Sequence, residues 1–421
     1  MASSIKQQKF KFPPYHFALI LIVSVFISTG CKKESTDEPV AEPVNEVLVS
    51  YQKILNHPVT TIKQQIGFWQ SLYPEATSIV NNTAYGVDVY KITYNTTFKG
   101  VPVIASGLVC LPQSQESFPI ISFQNGTNTL KSDSPSGNPT NYYYTLMEYM
   151  AGNGYIIVFP DYMGFGASSQ FLHPYYDRES TDRAVIDMIR ACHELLDEKD
   201  VQVKFSGEHF LMGYSQGGWA TLSGLKNIET NYKTTITVKA TSCGAGAYDL
   251  MAMSNYVLAQ QFFPGPLYLP YFIYSQQLLG AHNEPLSKFF NEPYASRIPE
   301  LFNGTYSNTQ VNAQLNDTIS KLLKSSMISG LSSGADFAQL RSLLIKNSVT
   351  AWLPTSKINF YHGSADLNVP PVQSQLIYDS FLSQGAGQDK IQLISLPGTD
   401  HEYSLLPWGL KTINWFNEIK K

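Results

Sequence analysis

Three residues of this 421-residue chain have the types and spacing needed to break an acyl bond. Ser215 lies in Gly213-Tyr214-Ser215-Gln216-Gly217-Gly218, a G-x-S-x-G pattern. A serine hydroxyl is a weak nucleophile at neutral pH. It needs a base within hydrogen-bond reach, and the base needs a carboxylate that holds its tautomer and stabilises its charged form. His401, ending Pro397-Gly398-Thr399-Asp400-His401, is the candidate base. Asp366, in His362-Gly363-Ser364-Ala365-Asp366-Leu367-Asn368-Val369-Pro370, is the candidate acid. Asp400 adjoins the base in sequence and is the weaker acid candidate, while His362 reads as structural. The chemistry would be attack by Ser215 on a carbonyl, with His401 taking and returning the proton. The resulting tetrahedral oxyanion needs N–H donors, each worth roughly 3–4 kcal/mol in the transition state. One is expected from Gln216, just after the nucleophile. The other is expected from Thr127, in Phe123-Gln124-Asn125-Gly126-Thr127, where a glycine lets the backbone turn its N–H inward.

These residues work only if the elements around them have a particular order. Phe210-Leu211-Met212 reads as a buried strand, and Ala220, Thr221, Leu222 and Leu225 have helical spacing. Ser215 then sits on a sharp strand-to-helix turn, where Gly213 and Gly217 avoid a collision. Apolar runs at Pro119 to Phe123, Tyr155 to Phe159, Ile236 to Cys243, Lys357 to Tyr361 and Ile391 to Leu396 read as further strands. Helical patterns at Asn141 to Met150, Ser180 to Leu196, near Val372 to Leu382 and near Tyr403 to Ile419 separate or follow them. Upstream, 47–70 suggests one or two short helices. Val87 to Thr93 and Val101 to Leu111 read as a hairpin around a turn at Asn95 to Lys99. Strands alternating with helices predict an α/β fold, a mostly parallel sheet flanked by helices. Asp366 and His401 each follow a predicted strand, in the order Ser, acid, His. The alternation stops over roughly 249–350, which reads as an inserted helical cap. Its stretch Phe262 to Tyr274 (FFPGPLYLPYFIY) is expected to lie over the carboxyl edge of the sheet, with Phe263 and Tyr271 lining an acyl pocket.

The chain opens on a targeting segment. Lys6, Lys9 and Lys11 precede an apolar core, Phe17 to Ile27, of signal-peptide length. Ser28-Thr29-Gly30-Cys31 resembles a bacterial lipobox, although that pattern usually has Leu where Ser28 stands. The resemblance implies cleavage before Cys31, lipidation of its sulfur, and a membrane partner through that lipid at the bacterial cell envelope. Polar 31–48, with Pro39 and Pro43, reads as a tether, and the hydrolytic domain as 49–421. Cys110, Cys192 and Cys243 stand in apolar surroundings and read as buried thiols. No Cys or His spacing suggests a metal site, and the chemistry requires no cofactor. A net charge of −4 gives no reason to expect a nucleic-acid partner.

With these motifs on the page, the chain from Val87 onward resembles the α/β-hydrolase superfamily. Within it, the chain is most similar to the secreted lipase/esterase branch with a helical lid. The matching pieces are Gly213 to Gly218, Gly154 to Gly166 (GYIIVFPDYMGFG), His173-Pro174-Tyr175 before a helix, and His362 to Pro370. The branch commonly has His-Gly in the oxyanion loop, where this chain has Asn125-Gly126. The resemblance implies a carboxylic ester hydrolase acting on a small-molecule or lipid ester. A serine peptidase or acyltransferase on the same scaffold is the alternative. A non-catalytic surface binding lipoprotein is a further one, against which the intact Ser, Asp and His stand.

Overall fold

Strands buried on both faces have no room for alternation, and the centre of this molecule is built from such strands. The computed structural model describes residues 47–420. The predicted signal peptide, Cys31 and most of the tether lie outside the described residues. Nine strands form one sheet: β1 (Leu48–His57), β2 (Val87–Phe98), β3 (Val101–Pro112), β4 (Ser117–Gln124), β5 (Ile156–Pro160), β6 (Lys204–Tyr214), β7 (Val238–Gly244), β8 (Lys357–Gly363) and β9 (Ile391–Leu396). Their spatial order is β1-β2-β3-β5-β4-β6-β7-β8-β9. The pairs from β5 through β9 are parallel, and β1, β2 and β3 join antiparallel at one edge. This is the α/β-hydrolase architecture. Along β5 and β6 the residues alternate between two cores. Ile156, Val158 and Leu211 enter one, and Ile157, Phe159, Phe210 and Met212 the other.

Three local expectations change. The first half of 47–70 is β1 rather than helix, with the helix Val59–Gly67 following it. Val49, Tyr51 and Ile54 favour extended backbone, and the open edge of β2 supplies the hydrogen bonds that a short isolated helix would have to provide alone. Val47 and Leu48, assigned to the tether, belong to the folded body. Both are buried, and Glu194 accepts their N–H groups at 3.0 and 2.6 Å. The hairpin turn is also tighter than expected. β2 runs on to Phe98, opposite Val101, and only Lys99 and Gly100 turn, at φ 52° and 76°. Two positive φ values match the twist of the flanking strands, which a longer turn from Asn95 would not.

Between β7 and β8 the chain leaves the sheet and builds the cap. It contains the helices Leu250–Ala259, Tyr268–Leu278, Tyr294–Leu301 and Ala338–Asn347 with shorter turns between them. The cap is tied down by Trp219, which donates to the Asn347 carbonyl at 2.9 Å, and by Asn308, which donates to the Thr127 carbonyl at 2.7 Å. Cys110, Cys192 and Cys243 are buried and unbridged. Among the described residues no helix is long and apolar enough to cross a membrane.

Candidate active site

Strand order creates the site. From β4 the chain moves to β5 on one side, and β6 then returns to pair with β4 on the other side. A parallel sheet opens a crevice at such a reversal, outside the carboxyl ends of the two strands. Register aligns those ends, because Gln124 pairs with Gly213. The loop after β4 therefore meets the turn after β6, and a side chain on Gly126 would begin 3.8 Å from Ser215 Cβ.

Ser215 has φ 58° and ψ −122°, a conformation that costs of order 1–3 kcal/mol for a residue with a Cβ. Its N–H donates to the Gly244 carbonyl of β7 at 2.8 Å, which helps hold the turn. Glycines make the turn sterically possible. A Cβ on Gly213 would collide with the Gly217 carbonyl, one on Gly217 with the Gln124 carbonyl, and one on Gly218 with the Gly244 carbonyl. All three obstacles are backbone atoms, which cannot swing aside. The helix Gln216–Asn227 begins at once, so Gln216 N–H is one of its uncommitted first-turn donors.

Asp366 follows β8 by three residues and His401 follows β9 by five, and the structure brings both to Ser215. Ser215 Oγ lies 2.9 Å from His401 Nε2, and His401 Nδ1 lies 2.6 Å from Asp366 Oδ2. A carboxylate only accepts, so Nδ1 carries the imidazole proton and Nε2 faces the serine as an acceptor. Asp366 Oδ1 accepts the N–H groups of Asn368 and Val369, both at 2.9 Å. Burial raises the Asp366 pKa, but hydrogen bonds from His362, His401 and Val369 outweigh it and hold the carboxyl down at about 2. His362, read as structural, stands 3.4 Å from Asp366 Oδ2 and also contacts the Val369 carbonyl and Ser374 Oγ at 2.7 Å each. Asp400 points elsewhere and caps the turn after His401, accepting the N–H of Tyr403 at 2.9 Å. His401 precedes the last helix, which begins at Leu405. It sits in the preceding turn, where Tyr214 donates to its carbonyl at 2.7 Å.

Gln216 directly follows the serine, and Thr127 directly follows Gly126, whose position faces Ser215 Cβ. Among the described residues neither backbone N–H has a protein acceptor. Thr127 Oγ1 lies 2.9 Å from Tyr175 OH, and the Gln216 side chain is fully buried against His173. No cluster of three or more His, Cys, Asp and Glu arranged to hold a metal occurs among the described residues.

A cavity of about 540 Å³, counted to its open mouth, reaches Ser215. The helix Leu250–Ala259 lines it with Leu250, Met253 and Val257, and the helix Tyr268–Leu278 with Tyr268, Leu269 and Phe272. The expected pair does not line it. Phe263 is 2 % exposed and packs edge-on against Tyr256 and Tyr268. Tyr271 is stacked between Tyr175 and Phe302, with ring centres 4.4 and 4.7 Å away. Helix rotation is the reason. Tyr268, Leu269 and Phe272 share the cavity side, while Tyr271 turns back toward Tyr175. The stretch is apolar all round, so its pattern carries no facing. Sequence reasoning also missed Tyr175 and Tyr176 as lining residues, although His173-Pro174-Tyr175 had stood out as a motif without a role.

Known proteins resemble this chain in fold and family. A Legionella pneumophila protein with a provisional hydrolase description is 27% identical, with a TM-score of 0.79, covering 89% of this chain and 99% of that one. The rice cell wall degrading esterase LipA of Xanthomonas oryzae is 23% identical, with a TM-score of 0.75 over 88% and 97% of the two chains. Lipase A of Candida antarctica in its closed state is 14% identical, with a TM-score of 0.62 over 85% and 78%. The last two likenesses speak to the fold alone. No curated sequence matches the chain. The family model for secretory lipases matches residues 134–416, a stretch that holds the Ser215 turn, the whole cap and the loops after β8 and β9. The chain therefore belongs to the secretory lipase family and is a carboxylic ester hydrolase with the α/β-hydrolase fold.

Proposed function

We propose that the enzyme cleaves esters through an acyl-enzyme on Ser215, with His401 as base and then acid, and Asp366 as the orienting carboxylate. Ser215 Oγ bonds to the ester carbonyl carbon as its proton passes to His401 Nε2. The imidazolium so formed is stabilised by Asp366, which stays ionised at every working pH. Collapse of the tetrahedral species breaks the C–O bond to the alcohol, which leaves with the proton from His401. Water then repeats the sequence and releases the acid. The N–H groups of Gln216 and Thr127 hold the oxyanion in both halves. The cavity's apolar lining supports an acyl chain as the group bound there, since burying each CH₂ contributes about 0.8 kcal/mol.

One observation carries this reading: the unbroken line from Ser215 Oγ through His401 to Asp366, at 2.9 and 2.6 Å. Ser215→Ala in a folded protein is expected to lower ester turnover by several orders of magnitude. It should also abolish labelling by a fluorophosphonate. Full turnover in that variant would sink the mechanism.

The same reading places the enzyme at the bacterial cell envelope, held by lipid on Cys31. Its support is the lipobox-like Ser28 to Cys31 after an apolar leader, together with membership of a secretory family.

A further inference from the structure

His173 has no part in the scheme above, yet it is built into the site. It is 3 % exposed, and its two ring nitrogens have partners of opposite kind. Nδ1 lies 2.9 Å from the Met163 carbonyl, which can only accept, so Nδ1 carries the proton. Nε2 is left with a lone pair, and the Gln216 side-chain amide donates to it at 3.0 Å. A second proton on the ring would set two donors against each other. Burial also pushes the His173 pKa down to about 4. The imidazole is thus a fixed, neutral acceptor.

Gln216 is the residue after the nucleophile, and its side chain is 0 % exposed. Its Oε1 has no partner among the described residues. Among the described residues, the bond to His173 is therefore the single polar constraint on a side chain whose backbone begins the helix behind Ser215. The imidazole is itself clamped. It stacks on Tyr162 at 5.7 Å and 16° and meets Tyr175 at 6.1 Å. Those two tyrosines reach the opposite side of the crevice. Tyr162 donates to the Asn125 carbonyl at 3.1 Å, and Tyr175 OH lies 2.9 Å from Thr127 Oγ1. One aromatic block touches both the Ser215–Gln216 turn and the loop 125–127.

We infer that His173 is a positioning residue: through Gln216 on one side and the Tyr162 and Tyr175 hydroxyls on the other, it sets the spacing of the two oxyanion donors. The inference rests on the acyl-enzyme reading. It acts on a species present only in the transition state, so it should appear in kcat and not in KM.

The test uses the full chain and a short nitrophenyl ester. His173→Phe keeps a ring in the stack and removes both nitrogens. His173→Gln offers a side-chain oxygen near the position of Nε2. His173→Phe is expected to lower kcat by roughly tenfold to hundredfold, with KM within about twofold. Affinity for a trifluoromethyl ketone, which forms an oxyanion on the serine, should fall in parallel. His173→Gln should return kcat to within about threefold of wild type. Gln216→Met, which removes the amide and keeps the backbone N–H, should match His173→Phe, and the two together should cost no more than one. Wild-type kcat in either His173→Phe or Gln216→Met overturns the inference, as does a loss confined to KM. Gln216→Met decides the matter if His173→Phe does not fold. Ser215→Ala is run alongside. Turnover surviving in Ser215→Ala removes the acyl-enzyme reading and this inference with it. A dead Ser215→Ala beside a fully active His173→Phe removes this inference alone.

Discussion

Asp366 is a carboxylate taken almost wholly out of water and kept charged by what surrounds it. Removing a charge from water is costly, so the hydrogen bonds from His362, His401 and Val369 must outweigh that cost. The folded pKa, about 2, lies below an ordinary carboxylate's 3.8. A depressed pKa adds stability that is fully present above the unfolded value. That stability disappears as pH falls through the folded value, here between about 4 and about 2. It amounts to about 2 kcal/mol at neutral pH. Denaturant melts of wild type and Asp366→Asn should show a gap that is widest above pH ~4 and closes toward pH ~2. A gap independent of pH would mean the carboxylate's charge is not what its neighbours stabilise. The same variant should lose about 10⁴-fold in kcat, because an amide can present either atom to His401 Nδ1 and no longer enforces the tautomer.

At the scale of elements, the cap separates residues that line the cavity from residues that hold the cap together. Leu269 and Phe272 face the cavity. Tyr271, stacked between Tyr175 and Phe302, belongs to the joint between cap and body. Leu269→Ala and Phe272→Ala are therefore expected to raise long-chain over short-chain nitrophenyl ester turnover by about tenfold. Tyr271→Ala and Phe263→Ala should leave that ratio within about twofold and cost about 3–5 kcal/mol of stability. Chain-length profiles and melting temperatures on the same four proteins check both halves. A shifted profile in Tyr271→Ala would place that ring in the substrate path after all. The nucleophile turn shows the other kind of constraint. Strand, glycines and helix are contiguous in the chain, so the turn could be read directly from Gly213 to Gly218, although carbonyls of β4 and β7 are what Gly217 and Gly218 make room for.

For the whole molecule, one testable consequence concerns attachment. If Cys31 carries lipid, radiolabelled palmitate should enter the protein in its bacterial host, and Cys31→Ser should exclude it. A mature protein starting elsewhere than Cys31, by mass spectrometry, would refute the proposal. Much of the remaining organisation was legible in the chain. Continuous apolar runs announce strands covered on both faces, and β5 and β6 are such strands. Asp366 and His401 could be named because each follows a strand, and parallel strands end at one edge whatever lies between them. Polar stretches with mixed patterns were harder. β1 exists because β2 has an open edge to pair with, a fact absent from residues 48–57 themselves. The sequence by itself therefore determined the fold class, the reaction class, the sharp turn at Ser215 and the chain order of Asp366 and His401 after it, because these are written in contiguous residues and in strand periodicity. Which cap residues face the cavity, and the link from His173 through Gln216 to the turn, were decided only by tertiary structure. Helix rotation in an all-apolar segment, and hydrogen bonds between residues 43 positions apart, depend on how elements pack and leave no periodic trace in the chain.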